Sequence, residues 1–543
     1  MAIDGETSPL LSGARTPSFT ARSDDSLYYG SRDPRANFAW LIPTAIMGSL
    51  AHELTNISRL VFFRQYFCQE IGFPEAPDPS LLAYTPSPST LHCSNPQFPV
   101  NIAAMVLTCT FSTISTGWWT GQSDVSGRRY SLTIPMLGSI ISNLLFAVLA
   151  GSQRVDGLAQ VIAFVGLLVE GMLGGSATFR ASLNAYVADV APAGSWSTSF
   201  SILQGVFLVC TLLGSSIGLG LDFFKPFLSF AVGAGVAVIN LIYIIIFLPE
   251  SLPEEFELDR PSKLKLGDFR KSVSFLITSL SGHRIALLSI AFFTYSMTSS
   301  IESLHLSFAL SPDSTATPIP AGYFITISTM TRLTAFFLII PGIIYLLQRR
   351  TPLSLAISTK QYILSAINID GLALRLLLLA DLMTQVFILF IPASHTTLFF
   401  LLALFAPLTG GLKPTFQALI ATSAELRSSP KRRGTLFGAL SVLGMIGETL
   451  SHIMFKSTST LWQTFPKAGF VATATLLTLV GILLWPALIG GRAIADSLPT
   501  DRERIRIVVS EDSTGPARDP DSTFFSPVYR RHGTVEGSTE ALN

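Results

Sequence analysis

Long apolar stretches alternate with shorter polar segments along most of this chain. A helix needs about 20 apolar residues to cross a hydrocarbon layer about 30 Å thick, and twelve stretches reach that length. We therefore predict twelve membrane-spanning helices. They lie at 37–63, 100–120, 131–151, 158–187, 197–221, 226–248, 285–309, 322–347, 373–392, 397–421, 434–456 and 467–489.

The polar segments divide the predicted spans into groups. A cytoplasmic linker at 249–284 separates two sets of six, which predicts six-helix bundles at 37–248 and 285–490. Weak symmetry of this kind often marks a transporter built from repeats, with its site between them near the membrane midplane. The polar tails, 1–36 and 491–543, flank the bundles, and the second is too rich in Asp, Ser, Pro and Arg to bury a core.

Composition agrees with a membrane protein. Hydrophobic residues make up 49% of the chain and charged residues 13%, against about 25% charged in soluble domains. A net charge of +1 without a basic, aromatic-rich stripe gives no sign of nucleic-acid binding. The N-terminal 36 residues hold no signal-peptide pattern. We expect no metal or cofactor, because no Cys/His cluster has zinc spacing and no phosphate-binding glycine loop is present.

Lysine and arginine predict the orientation, because they concentrate in cytoplasmic segments. With the N-terminus inside, the outer loops carry only isolated cations such as Arg154 and Lys225. Both termini are therefore expected in the cytoplasm. The cations on the inner side are Arg128, Arg129, Arg260, Lys263, Lys265, Arg270, Lys271, Arg284, Arg349, Arg350, Lys360, Arg427, Lys431, Arg432 and Arg433.

A charged motif, Gly-Gln-Ser-Asp-Val-Ser-Gly-Arg-Arg at 121–129, lies between the second and third spans. It resembles the Gly-x-x-x-Asp-x-x-Gly-Arg-Arg loop of the major facilitator superfamily. Thr120 stands at the place of that family's first glycine, and Gly121 follows it. Four residues match at the family's spacing: Asp124, Gly127, Arg128 and Arg129.

Two further segments carry the same resemblance. Pro249-Glu250-Ser251 closes the sixth span, and Arg-Gly-Thr-Leu-Phe-Gly at 433–438 opens the eleventh. The resemblance covers 37–490 and implies the major facilitator fold, an all-α membrane protein of twelve helices in two bundles. The overall character of the chain is similar to that of fungal members, including those that export secondary metabolites.

The resemblance implies a cytoplasmic latch. In that interpretation Asp124 and Arg128 hold the two bundles together in the outward-facing state, and Asp189 at the inner end of the fourth span pairs with an arginine. A carboxylate is favoured at a helix N-terminus, and the eleventh span begins near Gly434. The alternative is that these charges only fix the topology.

Three glycines in the fifth span, Gly205, Gly214 and Gly218, follow the spacing of the superfamily's antiporter motif. Leu219 replaces the proline that ends the motif. The glycines favour export, although close helix packing accounts for them equally well.

Ionisable side chains are costly inside a membrane, so each one in a span is a functional candidate. The resemblance places the first, fourth, seventh and tenth spans around a central cavity. The alternative for each residue is a structural ion pair between helices. The substrate-binding candidates are His52, Asn56, Arg180, Asn184, Lys413, Gln417 and Arg332.

Proton coupling needs a carboxylate or histidine that titrates near neutrality. A histidine close to a carboxylate in the seventh span is similar to the proton-coupled folate transporter group, although no diagnostic folate motif is present. The candidates are Glu302 with His305, Glu448 with His452, and then Glu53 and Glu170.

The four cysteines fall into two classes. Cys68 and Cys93 lie in the outer loop predicted at 64–99, where an oxidising compartment favours a disulfide. Two free thiols are the alternative. Cys109 and Cys210 lie within spans and are expected to behave as small apolar residues.

A short N-terminal pattern, Glu6 followed by Leu10-Leu11, looks like an acidic dileucine signal read by a sorting adaptor. The expected location of the protein is therefore either the plasma membrane or the vacuolar membrane.

These observations predict a secondary transporter that moves a small amphipathic or organic-anionic compound by alternating access, with proton-coupled export as the first expectation. Proton-symport uptake is the alternative within the class. A polytopic membrane enzyme is the alternative from another class, but its acid/base groups would cluster at one depth. A transport-like nutrient sensor ranks last, because it would carry larger cytoplasmic extensions.

Overall fold

The computed structural model describes most of the predicted membrane part of the chain. Contacts divide the chain into two compact units, Met1–Gly491 and Arg492–Asn543, and the second is described only to Ser497. The described residues are 37–70, 94–152, 157–191, 193–225, 227–252, 282–301, 305, 321–350, 359–391, 401–403, 405, 410–427, 432–457 and 467–497.

The described residues are almost entirely helical. A 3-10 turn at Ala193–Ser195 and a π-helical segment at Ala335–Ile339 interrupt the α-helices. The longer α-helices are α1 (Phe38–Glu70), α2 (Ser94–Ser126), α3 (Arg128–Ser152), α4 (Gly157–Met172), α5 (Gly175–Val190), α6 (Trp196–Phe224), α7 (Leu228–Ile246), α8 (His283–Ser296), α9 (Ala321–Thr334), α10 (Ile340–Arg350), α11 (Thr359–Phe390), α12 (Leu412–Arg427), α13 (Arg433–Ser457) and α14 (Ala468–Ser497).

Eight stretches within these residues are long and apolar enough to cross a membrane. Four other expected spans are not among the eight. The spans at 37–63 and 100–120 correspond to parts of α1 and α2, whereas 285–309 and 397–421 lie partly outside the described ranges. The eight are Arg128–Ser152, Val161–Val190, Trp196–Phe224, Leu228–Ile246, Thr326–Arg349, Tyr362–Phe390, Arg433–Phe455 and Ala468–Leu488.

The fourth expected span, 158–187, is not one continuous helix. It bends between α4 and α5 because Gly174 and Gly175 have φ values of 92° and 50°, which a side chain with a β-carbon rarely adopts. The break lies a few residues after Glu170, so the helix is interrupted close to an ionisable side chain. A Gly-Gly pair also precedes α12, where residues 410 and 411 form a turn.

Two expected boundaries are wrong. The outer loop predicted at 64–99 is shorter, because α1 continues to Glu70 and α2 begins at Ser94. The ninth span was expected from 373, whereas α11 begins at Thr359. Polar residues at the helix ends lower the apolar signal without breaking the helix, since backbone hydrogen bonding does not depend on side-chain polarity.

The packing of the helices leaves apolar side chains both inside and outside. One hydrophobic core runs through helices on both sides of the gap at 253–281 and includes Tyr186, Phe292 and Phe416. Other large apolar side chains, such as Val148 and Phe224, are 70% and 81% exposed. In water such exposure is unfavourable, but a hydrocarbon surrounding removes the penalty.

Candidate functional site

Asp124 at the end of α2 binds the N-terminus of α13. Its carboxylate accepts hydrogen bonds from the backbone N–H groups of Gly434 and Thr435, each at 2.8 Å, and from the Thr435 hydroxyl at 2.6 Å. The first N–H groups of a helix have no partner within it, and they carry the positive end of its dipole. This contact joins the N-terminal half (residues 37–252) to the C-terminal half (residues 282–497).

A network of ion pairs surrounds this contact. Arg128 is 1% exposed, and it donates to Asp124 at 2.7 Å and to Asp189 at 2.7 Å. Asp189 also pairs with Arg433 at 3.2 Å, and Arg433 in turn pairs with Glu425 at 2.7 Å. Asp189 therefore joins an arginine of its own half to an arginine of the other half.

The turn between α2 and α3 is closed by Glu250. Gly127 has φ 100°, and a β-carbon there would lie 2.6 Å from Glu250 Oε2. The Glu250 carboxylate accepts from the backbone N–H groups of Arg128 at 2.8 Å and Arg129 at 3.1 Å. Arg129 donates to the carbonyl of Ile244 at 3.3 Å, near the C-terminus of α7, which stabilises that helix end.

We predict that Gly127→Ala destabilises this turn by about 1–3 kcal/mol, because it combines a strained φ with an overlap at Glu250. Thermal unfolding of the detergent-solubilised protein would measure the loss. Gly121→Ala is the matched control, since its β-carbon would meet no atom within 4 Å. Equal unfolding temperatures for the two variants would contradict the assignment.

The three glycines of the fifth span have different neighbours. A β-carbon on Gly214 would lie 2.8 Å from Glu53 Cβ, and one on Gly218 would overlap the backbone of Leu54, so both allow α6 to pack closely on α1. Gly205 instead faces the ring of Phe337 in the π-helical segment, at 2.7 Å from the position of an added β-carbon. Close packing accounts for all three positions.

A cavity of about 1100 Å³ of empty space lies between the two halves. Three cations and two carboxylates line it together with aromatic and hydroxyl side chains. The lining residues are Arg180, Gln204, Phe207, Leu208, Thr211, Tyr295, Ser296, Thr298, Ser299, Ile301, His305, Arg332, Phe336, Asp381, Gly410, Lys413, Pro414 and Glu448.

Two of the predicted substrate-binding cations reach this cavity from opposite halves. Arg180 on α5 has 39% of its side chain exposed and lies 3.8 Å from Glu53, and its guanidinium also stacks on Phe207 at 5.4 Å. Lys413 on α12 forms an ion pair with Glu448 on α13, with side-chain exposures of 28% and 34%. Each cation is therefore paired yet accessible.

A second set of charges lies inside the N-terminal half. Glu170, which is 2% exposed, accepts from Arg59 at 2.6 Å and lies 3.4 Å from His52 Nδ1. Arg59 also donates to Asn143 at 2.7 Å. His52, Glu53 and Glu170 line a small cleft in the N-terminal half, and Arg180 lines both this cleft and the central cavity.

The remaining candidates have other contacts. His305 is 2% exposed and stacks on Phe470 with ring centroids 5.5 Å apart. His452 Nδ1 lies 2.9 Å from the Ser300 hydroxyl. Asn56 donates to Glu53 at 3.4 Å. Across the halves, Asn184 donates to Gln417 at 3.5 Å.

The sequence analysis missed several polar residues of the spans. Asp381 and Tyr295 line the cavity near Arg332, although a lone carboxylate in an apolar span is itself a signal of function. Asp370, 3% exposed, accepts from the Ser197 hydroxyl of α6 at 2.7 Å. The partner of Asp370 is far away in sequence, so spacing along one helix could not reveal it. Asp381 instead accepts from Gln385 of the same helix at 3.4 Å, so an i, i+4 pattern could have revealed it.

Several predicted residues lie outside the part that the structure describes. Glu302 and Cys93 fall in undescribed segments, and so do Glu6, Leu10 and Leu11. Cys68 lies in α1, but its side chain is not described. The predicted disulfide and sorting signal therefore stay predictions.

Membrane-spanning helices around a polar cavity define a multi-pass membrane protein with a site between its halves, and the family match below identifies it as a transporter rather than an enzyme. Residues 80–447 match the Major Facilitator Superfamily. The chain belongs to this superfamily.

One relative is the lysosomal proton-coupled steroid conjugate and bile acid symporter SLC46A3 of Gallus gallus, which is 26% identical over 147 residues. The match covers 26% of this chain and 31% of that protein, so the chain aligns with about a third of the relative's length. The similarity fits the resemblance to the proton-coupled folate transporter group.

Solved structures show the same fold. The human organic anion transporter MFSD10 (TETRAN) has a TM-score of 0.58 at 17% identity, covering 83% of this chain and 99% of that one. The E. coli fucose:proton symporter FucP has a TM-score of 0.56 at 14% identity, covering 83% and 98%. Identities this low demonstrate a shared fold alone.

Proposed function

We propose that this chain is a proton-coupled secondary transporter of a small amphipathic organic anion, and that it works by alternating access. The observation that carries the proposal is that Arg180 and Lys413, one from each half, line a single cavity. An anionic group held between them would take hydrogen bonds from both halves. Phe207, Phe336 and Tyr295 offer an apolar wall for the rest of the molecule.

Two similar proteins support this substrate class. One is described as a steroid conjugate and bile acid symporter and the other as an organic anion transporter. Bile acids combine an apolar body with a negative charge, and organic anions share the negative charge, which matches the cations and the aromatic side chains of the cavity wall.

Coupling to protons follows from the ion pair of Lys413 with Glu448. An anionic group of the substrate that approaches Lys413 is repelled by the Glu448 carboxylate, strongly so in a poorly hydrated cavity. A proton on Glu448 removes this repulsion and leaves Lys413 to the substrate. The transporter then binds the proton and the anion at the same time.

The other proton candidates rank lower by their contacts. Glu53 lies 3.8 Å from Arg180, and a proton on Glu53 would likewise release Arg180 to bind the substrate. Glu170 is buried against Arg59 at 2.6 Å, which favours a permanent structural pair. Glu302 stays a candidate on its position in the sequence beside His305.

The proposal has two versions, which differ in the direction of transport. Joint binding of proton and anion favours symport toward the cytoplasm. Proton-coupled export is the alternative, and it rests on the spacing of Gly205, Gly214 and Gly218, which close packing also accounts for.

The architecture proposed with this function is the predicted one of two six-helix bundles, 37–248 and 285–490, with a linker at 249–284 and both termini in the cytoplasm. The latch at Asp124 would then close the cytoplasmic side. The lysosomal address of one relative supports a vacuolar membrane beside the plasma membrane.

The proposal is tested by reconstituting the protein in liposomes with radiolabelled taurocholate and estrone sulfate as probes. We expect wild-type protein to accumulate a probe when the outside is more acidic than the lumen. Glu448→Gln, which resembles the protonated side chain, should lose gradient-driven accumulation and keep the exchange of labelled for unlabelled probe. A reversed pH gradient tests export.

Asp222→Asn is the control, because its carboxylate binds Ser229 within the N-terminal half and does not line the cavity. Gradient-driven uptake by Glu448→Gln at the wild-type level would overturn the role of Glu448. If Glu302→Gln alone abolishes accumulation, Glu302 carries the proton.

A further inference from the structure

Arg375 is a charged side chain of a span that does not line the central cavity. It lies in the apolar stretch Tyr362–Phe390 of α11, and its guanidinium lies 5.9 Å from the ring of Trp485 on α14. Arg180 and Lys413 each pair with a carboxylate, whereas no carboxylate among the described residues forms an ion pair with Arg375. A cation without a carboxylate is costly inside a span, which points to an anion from outside the chain.

The packing of α14 on α11 places Arg375 near one end of the span. The apolar stretch of α14 ends at Leu488, and a β-carbon on Gly371 would lie 2.8 Å from the Leu488 side chain. Gly371 is therefore level with the end of that stretch. Arg375 follows it by four residues, about 6 Å of helix rise. A long cationic side chain at this depth reaches the membrane interface, where tryptophan is also enriched.

A groove between α11 and α14 runs from Arg375 toward the middle of the span, and it holds about 1160 Å³ of empty space. Its buried lining residues include Leu378 and Leu477, and its exposed ones include Leu379 and Ile482. The groove therefore has an apolar floor and opens sideways, toward the hydrocarbon that surrounds the helices.

Gly481 keeps the middle of this groove open. A β-carbon there would meet only the Leu378 side chain, at 3.8 Å, so a longer side chain would project into the groove. Thr478 also lines it, but its hydroxyl donates to the Ala474 carbonyl at 2.8 Å within α14. The groove thus offers a cation beside an indole ring at the membrane boundary and an apolar slot below them.

A second copy of the chain matches this surface poorly. In a two-fold dimer the same patch meets itself, so one Arg375 would approach the other. The acidic residues of α11, Asp370 and Asp381, are buried, and the stretch Ala468–Leu488 of α14 contains none. A symmetric partner would therefore bring a like charge without a carboxylate to offset it.

We propose that this groove binds an anionic phospholipid, with the charged headgroup at Arg375 beside Trp485 and an acyl chain along the apolar floor. A guanidinium and a phosphate form strong charge-assisted hydrogen bonds. In the proposed orientation this end of α14 lies on the cytoplasmic side, where the leaflet carries anionic lipids. The site is separate from the central cavity and does not depend on the proposed substrate.

Native mass spectrometry of the detergent-solubilised full chain tests the site, with dioleoylphosphatidylserine and dioleoylphosphatidylcholine as probes. We expect wild-type protein to bind phosphatidylserine more tightly, because the choline group offsets the phosphate charge of the other lipid. Arg375→Gln should weaken phosphatidylserine binding about tenfold, the effect of losing a hydrogen bond to a charged group. Arg375→Lys keeps the charge and should retain most of the preference.

Two further variants separate the charge from the groove. Gly481→Leu fills the slot without changing a charge, so it should weaken the binding of both lipids. Lys225→Gln is the matched control, because the Lys225 ammonium lies 5.9 Å from the Phe227 ring in a similar cation–aromatic contact outside this groove. It should bind both lipids like the wild type.

Wild-type binding of phosphatidylserine by Arg375→Gln, or equal binding of the two lipids by the wild type, would overturn the proposal. A dimer that Arg375→Gln dissociates would assign the surface to a second copy instead. Binding of taurocholate that depends on Arg375, without binding of phosphatidylserine, would assign it to free amphipathic anions.

Should Arg375→Gln not fold, Gly481→Leu still tests the groove, and unchanged lipid binding by that variant would contradict the proposal. These measurements need no proton gradient, and Arg375→Gln is expected to keep the substrate affinity of the central cavity. A failure of the lipid site is therefore distinct from a failure of proton-driven uptake.

Discussion

Asp124→Asn is expected to remove most transport activity while leaving the protein folded and in the membrane. The carboxylate accepts from Gly434 N–H, Thr435 N–H, the Thr435 hydroxyl and Arg128. An amide offers one oxygen, and its nitrogen only donates, so at least one donor would face another donor. A hydrogen bond to a charged group contributes about 1.5–3 kcal/mol, so its loss lowers the latched population about tenfold or more.

Initial transport rates at equal surface expression measure this effect, and a symmetrical size-exclusion peak shows that the variant is folded. Asp222→Asn makes the same chemical change at a contact within one half and should transport normally. Rates for Asp124→Asn that match those of the wild type would refute the latch.

Arg180→Gln and Lys413→Gln are each expected to weaken substrate binding about tenfold or more. A bound anionic group would gain a charge-assisted hydrogen bond from each cation, worth about 1.5–3 kcal/mol. Lys413→Gln also leaves Glu448 without its cation. The pair Lys413→Gln/Glu448→Gln therefore separates the loss of the substrate contact from the repulsion by an uncompensated carboxylate.

Apparent affinities for the transported probe measure these losses. Arg375→Gln is the control, because Arg375 lies in a groove between α11 and α14 with its guanidinium 5.9 Å from the Trp485 ring. Unchanged affinities in both cavity variants, together with a loss in Asp381→Asn, would indicate a cationic or neutral substrate. They would contradict the proposal that Arg180 and Lys413 hold an anionic group between them.

Sequence spacing identifies some residues of the latch, whereas other residues of the latch are recognised only from the packing of the helices. The spacing in 121–129 identifies Asp124 and Arg128 because a motif is a local pattern. The bonds from Arg433 to Asp189 and from the Gly434 N–H to Asp124 join residues more than two hundred positions apart. No periodicity within one helix contains such information, which depends on how α2, α5 and α13 pack.

For the cavity, too, the sequence identifies the charged residues but not their partners. Arg180 and Lys413 stand out in sequence because a charge within an apolar span is costly. Their partners, Glu53 and Glu448, were assigned to proton coupling alone, since only the packed structure brings each carboxylate to its cation. Asp381 was missed altogether, although the same cost applies to it.

The sequence by itself determined that this protein is an all-helical membrane protein, because the cost of placing polar groups in hydrocarbon imposes long apolar runs that can be read one helix at a time. The motif at 121–129 added the resemblance to the Major Facilitator Superfamily, to which residues 80–447 match. Only the tertiary structure decided where α4 gives way to α5, which arginine of the other half pairs with Asp189, and which carboxylate neutralises Arg180 and Lys413. These features depend on distances between helices, and such distances arise from packing in three dimensions rather than from the order of residues along any one of them.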